Sequence, residues 1–120
     1  MATAIERAEA VQTVALRTAA DSTPVVDTPD LEQIVDAAAR PDAAGHPVEA
    51  HDDPDRDWTT TYDLNAACAA VCEAKAALVA NRFDLTIDGQ GLSRAQLHEH
   101  FMKQARMWRS RTAGTIPRSL

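Results

Sequence analysis

The sequence predicts an all-α protein: a small helical bundle built on an antiparallel helix pair, with a short β-like arm between the two helices and an extended C-terminal tail. The stretches after Asp63 and after Ser93 both place apolar side chains at helical spacing, and the segment between them alternates apolar and polar residues before a turn. We divide the chain into N-terminal helices with an acidic, proline-rich linker (1–57), a core helical hairpin with its arm (58–111) and the extended tail (112–120).

The amino-acid composition predicts one domain with a modest core. The chain has 120 residues, and its hydrophobic fraction of 45% includes many alanines, about a fifth of the sequence, and only 4% aromatics. Alanine buries little area, so the hydrophobic contribution per residue is small. We therefore expect the protein to draw part of its stability from partners.

Charge is unevenly distributed along the chain, whose formal net charge is −6. Residues 21–57 hold eleven Asp and Glu against two Arg, whereas residues 94–120 hold six Lys and Arg against one Glu. Such blocks form either solvated faces or complementary contacts between copies or with a partner. The acidic overall balance argues against nucleic-acid binding through a general basic surface.

The first 39 residues predict two short amphipathic helices. Residues 3–20 form a thin helix whose stripe is mostly Ala and Val, too weak to stand alone, so it should dock on another copy or on the hairpin. Thr28 is predicted as the cap of the second helix, with Pro29 at its first position, and Pro41 stops it. The predicted stripe of the first helix is Ile5, Ala8, Val11, Ala15, Leu16 and Ala19.

The segment 40–57 has three prolines, a glycine and no periodicity, which predicts a flexible acidic linker in isolation. Two histidines and three nearby aspartates suggest a metal site. The acidic run nevertheless lacks the glycine and the closing glutamate of a calcium loop, so we expect no metal and no cofactor. The residues concerned are His46, His51, Asp52, Asp53 and Asp55.

The first helix of the hairpin is predicted to begin after Asp63, an N-cap worth about 1 kcal/mol. Cys68 and Cys72 lie four residues apart on one face, a spacing that suits small core residues better than a disulfide. The whole apolar stripe is Leu64, Ala67, Cys68, Val71, Ala74, Leu78 and Val79.

The arm is predicted from alternation, with Phe83, Leu85 and Ile87 on one side before a turn at Asp88 and Gly89. A lone strand cannot satisfy its own backbone. It must therefore pair with a return segment or with the same arm of another copy, which makes these three apolar residues a candidate inter-subunit arm.

A capping box from Ser93 to Gln96 opens the last helix. Its predicted buried stripe is Leu97, Phe101, Ala105 and Trp108, and its basic outer face is Lys103, Arg106 and Arg109. The helix is expected to return antiparallel on the first one.

Nothing in the sequence predicts an enzyme. His98 and His100 do not form the HExxH pattern and fall on nearly opposite sides of a helix. No Ser/His/Asp order, Cys/His pair or pair of buried carboxylates stands out. No run of eighteen apolar residues and no charged-then-apolar leader is present, so neither a membrane span nor a secretory signal is predicted.

The order of parts in residues 58–112 resembles the head-to-tail adaptor proteins of long-tailed bacteriophages, also called head completion or connector proteins. The resemblance lies in YDLNAACAAVCEAKAALVANRFD, LTIDGQGLSRAQ and HEHFMKQARMWRSR, and upstream in TPDLEQIVDAAA. These stretches are similar to the family's Ala-rich helix, its short arm, its final helix and its acidic helix before the hairpin. The long N-terminal helix and the acidic insert depart from the family pattern.

The resemblance implies a structural virion protein rather than an enzyme. It implies a homo-oligomeric ring, usually twelvefold, beneath the portal, which prolongs the DNA channel and completes the head for attachment of the stopper or tail. The implied partners are further copies of the chain, the portal and the stopper or tail protein, with DNA passing through the lumen without specific binding and no membrane. The implied location is the virion neck, and the host cytoplasm before assembly. The residues implied to contact the portal are Arg106, Trp108, Arg109, Arg111, Ile116 and Pro117.

An alternative from another class is a small helical regulatory or DNA-associated protein that acts through its basic last helix and Trp108. This alternative expects salt-dependent retention on duplex DNA.

Overall fold

The computed structural model describes residues 2–81 and 94–113, with side chains described for 2–80 and 95–111. It is mostly helical and contains an antiparallel helix pair, which confirms the predicted all-α class. The elements are β1 (Thr3–Ala4), α1 (Arg7–Thr18), α2 (Thr28–Ala37), β2 (Thr61–Tyr62), α3 (Leu64–Asn81) and α4 (Arg94–Ala113).

Helix α3 is the centre of the fold, because α1, α2 and α4 all pack against it. It is buried around most of its circumference, and its many alanines let neighbouring helices approach closely. The predicted stripe of α4 is confirmed for Phe101, Ala105 and Trp108, which are buried, while Leu97 is half-buried. The basic face of α4 is exposed as predicted.

The N-terminal segment joins the same core as the hairpin. Val14 of α1 and Val35 of α2 are fully buried in the cluster that also holds Val71 and Trp108. The expected stripe of α1 was right for Ile5, Val11 and Ala15, which are half-buried and pack against the core. It was wrong for Ala8, Leu16 and Ala19, which are exposed, and it left out Ala10 and Val14, which are buried. The face toward α3 thus follows tertiary packing, since a stripe of small side chains specifies orientation only weakly.

The predicted helix over 3–20 was wrong at its start. Thr3 and Ala4 pair antiparallel with Tyr62 and Thr61, respectively, as β1 and β2. The Ile5 backbone N–H donates to the Thr60 carbonyl at 3.1 Å, and the Thr60 hydroxyl donates to the Ile5 carbonyl at 2.8 Å. The backbone groups of residues 3–5 are therefore hydrogen-bonded to the strand at 60–62 and not within a helix.

Of the three predicted caps, one is confirmed and one is wrong, while the third, Ser93, lies outside the described residues. The Ala66 backbone N–H donates to Asp63 Oδ1 at 3.0 Å, so Asp63 caps α3 as expected. Helix α2 instead has Asp27 as its N-cap, without a side-chain capping bond, and Pro29 occupies the second helical position.

The segment predicted to be a flexible linker is tied to the hairpin. Asp42 Oδ1 accepts from the backbone N–H groups of Ala44 and His46, at 3.0 and 2.9 Å, and Asp42 Oδ2 accepts from Thr59 N–H at 2.9 Å. The indole N–H of Trp58 donates to the Arg40 carbonyl at 2.8 Å. The acidic loop is therefore built around one buried carboxylate, which the sequence pattern did not reveal.

Replacing Asp42 with asparagine should destabilise the protein at neutral pH and reduce the loss of stability that the wild type shows as the pH falls. Hydrogen bonds, led by that from Thr59 N–H, lower the pKa of Asp42 to about 2 from 3.8. A lowered carboxyl pKa contributes stability that is complete above about pH 4 and is lost as the pH falls toward 2. Thermal melts of both proteins at several pH values should therefore differ most above pH 4 and converge toward pH 2.

The matched control is Asp52→Asn, which removes an exposed carboxylate from the same loop. It should melt like the wild type at every pH. Equal melting of Asp42→Asn and Asp52→Asn at pH 7 would contradict the structural role of Asp42.

Candidate interaction surface

Three of the predicted portal-contact residues lie on the exposed side of α4. Arg106 Nη2 lies 3.0 Å from Glu99 Oε2 on the same helix. Arg109 makes a two-bond pair with Glu73 of α3, with Nη2 2.7 Å from Oε1 and Nε 3.0 Å from Oε2. This pair raises the pKa of Arg109, chiefly through its hydrogen bonding. The Arg111 guanidinium lies 4.8 Å from the centre of the Trp108 ring.

Trp108 itself belongs to the core. Its side chain is 9% exposed and packs with the buried residues of α1, α2 and α3. The structure therefore places the three arginines at the surface and the tryptophan beneath them. The other predicted site residues, Ile116 and Pro117 of the tail and Phe83, Leu85 and Ile87 of the arm, lie outside the described residues.

A feature missed in the sequence lies between these cations. Met107 is 42% exposed and is one of four exposed large apolar residues in the described part of the chain. Lys103, Met107 and Arg111 follow one another at four-residue intervals, so they share one face of α4. We call this set the basic ridge. The i, i+4 spacing was visible in the sequence, but the exposure of Met107 between the two cations was not.

A second surface lies at the junction of α1 and α2. A groove of about 330 Å³ is lined there by Leu16, Val25, Val26 and the carboxylates Asp21 and Asp27, among others. Leu16 is 75% exposed and Val25 is 46% exposed, the two highest values among the large apolar residues of the described chain. We call this surface the acidic groove. In this groove exposed apolar side chains lie beside negatively charged ones.

A buried lysine, Lys75, donates hydrogen bonds to the turn at the end of α1. Ala19 ends the helix in the left-handed conformation, with φ of 50°. Its carbonyl accepts from the N–H and the hydroxyl of Ser22 and also from Lys75 of α3. Lys75 Nζ donates to the carbonyls of Ala19 and Ser22, at 2.7 and 3.0 Å, and to the Ser22 hydroxyl at 3.4 Å. It also lies 5.7 Å from the ring centre of Phe101.

Lys75 is a structural group. Burial lowers its pKa, but its three donors are already used by Ala19 and Ser22. A groove of about 380 Å³ opens beside it between the end of α1 and α4. Lys75 lines this groove, but its N–H groups donate to Ala19 and Ser22 and are not available to a ligand in the groove.

The two cysteines are inert by their environment. Both are buried, and burial raises the pKa of Cys68 to about 12 and also raises that of Cys72. A thiol is nucleophilic and binds metal as the thiolate, so these groups are unreactive at neutral pH. Within 2–81 and 94–113, no three side chains of His, Cys, Asp or Glu converge in a way that could hold a metal ion.

Comparison with known proteins places the chain in no group. No family model, curated protein or solved structure matches it. In the part of the chain that the structure describes, no helix is both long and apolar enough to span a membrane.

Proposed function

We propose that this chain is a structural connector of a bacteriophage virion, forming a ring between the portal and the stopper or tail. The observation that carries the proposal is the presence of two different, oppositely charged surfaces on one small helical chain, the basic ridge and the acidic groove. A closed ring of identical subunits needs two such complementary faces on every copy. Helices α2, α3 and α4 follow one another in the order of the acidic, Ala-rich and final helices that the adaptor resemblance is based on.

In this proposal the end of α4 faces the portal. Arg106, Arg109 and Arg111 are exposed near its C-terminus, and the chain continues into a tail that carries Ile116 and Pro117. Exposed cations suit an acidic partner surface, and they steer association more than they add to affinity. Trp108 would act by holding Arg111 in place rather than by direct contact.

The remaining parts have proposed roles in the ring. Phe83, Leu85 and Ile87 are proposed to contact the neighbouring copy as an arm. The acidic residues of 21–57, where they face the lumen, would repel phosphate and let DNA pass without specific binding. The chain would carry no catalytic activity and no cofactor.

The DNA-associated alternative has less support. Stacking on bases needs an accessible aromatic ring, whereas Trp108 is 9% exposed. The basic helix therefore suits a protein contact better than a duplex.

Deleting residues 112–120 should abolish docking on the portal without unfolding the chain. Residues 112 and 113 are the last two of α4, and the buried core residues described above all precede them, so helicity and melting temperature should stay near those of the full chain. Co-sedimentation with assembled portal from the same genome measures docking, and circular dichroism measures folding.

Two controls accompany the deletion. A shorter deletion of residues 114–120 leaves α4 at its full length and should give the same loss, while Ser119→Ala should dock normally. If the chain without 112–120 joined the portal as well as the full chain does, the portal-facing assignment of the tail would be wrong.

A further inference from the structure

We infer that the acidic groove of one copy receives the basic ridge of a second copy of this chain. The inference rests on the proposed function, because it names one of the contacts between neighbours that a ring requires. It joins two surfaces that were described separately and assigns each as the partner of the other.

The groove has the chemistry of an unfilled docking site. Leu16 and Val25 expose 75% and 46% of their surface there, beside Asp21 and Asp27. Neither carboxylate forms a salt bridge within 4.0 Å in the described part of the chain, whereas α2's later acids, Glu32 and Asp36, pair with Arg7. The charge of Asp21 does act on Lys75, whose pKa it helps to raise against the effect of burial. Apolar side chains beside acids without a salt bridge predict a partner with an apolar centre and flanking positive charge.

The basic ridge has the inverse pattern. Met107 is 42% exposed and lies between Lys103 and Arg111, each one helical turn away. With a rise of 1.5 Å per residue, the two cations are separated by about 12 Å along the helix axis. Methionine adapts its shape to irregular apolar surfaces, which suits insertion between Leu16 and Val25. Lys103 has no ion pair among the described residues.

The two patterns do not meet within one chain. The groove is lined only by residues of α1, α2 and the turn between them, whereas Met107 lies at a different groove, between the end of α1 and α4. A second copy supplies the missing complement. Membranes and nucleic acids are disfavoured as occupants, because anionic surfaces are repelled by Asp21 and Asp27.

The contact is expected to be weak in the isolated protein. Exposed ion pairs contribute roughly 0–1 kcal/mol each, and the apolar part involves only a few side chains. A portal that binds several copies side by side raises their effective concentration. Self-association should therefore be detected by a method that traps transient complexes.

The test is thiol cross-linking between two pools of full-length chain that differ in mass through a tag. One pool carries Leu16→Cys and the other Met107→Cys, and both positions are exposed enough to accept the change. A short bismaleimide is added to the mixture. Cys68 and Cys72 stay silent because they are buried as protonated thiols. The matched control replaces Met107→Cys with Val48→Cys, whose native side chain is 44% exposed on another surface.

The 16–107 product should form about tenfold faster than the 16–48 product, and high salt should reduce the difference. Adding Lys103→Glu to the Met107→Cys chain should slow it to the control rate, and adding either Asp21→Lys or Asp27→Lys to the Leu16→Cys chain, whichever acid faces position 103, should restore it. A 16–107 rate equal to the control, or no restoration by the charge exchange, would overturn the inference and leave the groove to a different basic protein segment.

This outcome is separate from the test of the proposed function. Cross-linking uses the isolated chain, whereas docking is measured by co-sedimentation with portal. Loss of the 16–107 product with normal docking would reject only this contact. A 16–107 product without any docking would keep the contact and reject the connector.

Discussion

Replacing Trp108 with alanine is expected to lower the free energy of unfolding by about 3–5 kcal/mol. The side chain is 9% exposed and sits where α4 meets the cluster of Val14, Val35 and Val71. Its removal leaves a cavity in the core cluster that the small alanine side chains around it cannot fill. Because a domain has only about 5–15 kcal/mol of stability, the variant should be partly unfolded near 37 °C. Urea denaturation followed by circular dichroism measures the change.

Met107→Ala is the control, because it truncates the neighbouring residue of α4, which is 42% exposed. It should stay within about 0.5 kcal/mol of the wild type. Nearly equal stability of the two variants would show that Trp108 does not pack as described. Trp108→Phe keeps most of the buried volume but removes the indole. If the variant protein docks on the portal as strongly as the wild type, Trp108 acts through packing and not through direct contact with the portal.

Replacing Lys75 with methionine is expected to lower the free energy of unfolding by about 1–3 kcal/mol. Methionine keeps an unbranched apolar stem but donates no hydrogen bond. The Ser22 carbonyl would lose the bond from Lys75, and the Ala19 carbonyl would keep only the bonds from the N–H and the hydroxyl of Ser22. The turn after α1 should loosen first. Hydrogen exchange of the backbone amides at the end of α1 locates the change, and urea denaturation measures its size.

The pH dependence gives a second readout for Lys75. Burial lowers its pKa below the unfolded value of 10.5, so between those two pKa values the unfolded chain binds more protons than the folded one. This group therefore adds stability as the pH rises through that window. The stability difference between wild type and Lys75→Met should grow toward pH 10.5. Lys103→Met, which changes an exposed lysine of α4, should show no such growth.

Local patterns in the sequence were enough to predict the hairpin. The stripe of Phe101, Ala105 and Trp108 and the cap at Asp63 depend on residues three or four positions apart, and the structure confirms them. Helical periodicity and capping are short-range effects, so they can be predicted without knowing the neighbours. The basic face of α4 followed from the same periodicity.

The sequence predicted the basic face of α4 but not the acidic groove. Leu16 was expected to be buried in the stripe of α1, yet it is 75% exposed, because the helix presents Ala10 and Val14 to α3 instead. Alternative faces of an Ala-rich helix differ little in apolar area, so packing against the neighbouring helices decides between them. Exposure of Leu16 then creates the acidic groove.

Features set by the order of residues along the chain can be distinguished from features set by tertiary packing. The sequence by itself determined the helices, the antiparallel hairpin and the separation of acidic and basic segments, because these depend on side-chain order along the chain. Tertiary structure alone decided the pairing of Thr3 with Tyr62, the bond from Thr59 to Asp42 and the burial of Lys75. Each of these joins residues far apart in sequence, and such contacts form only where packing brings a donor and an acceptor together away from water.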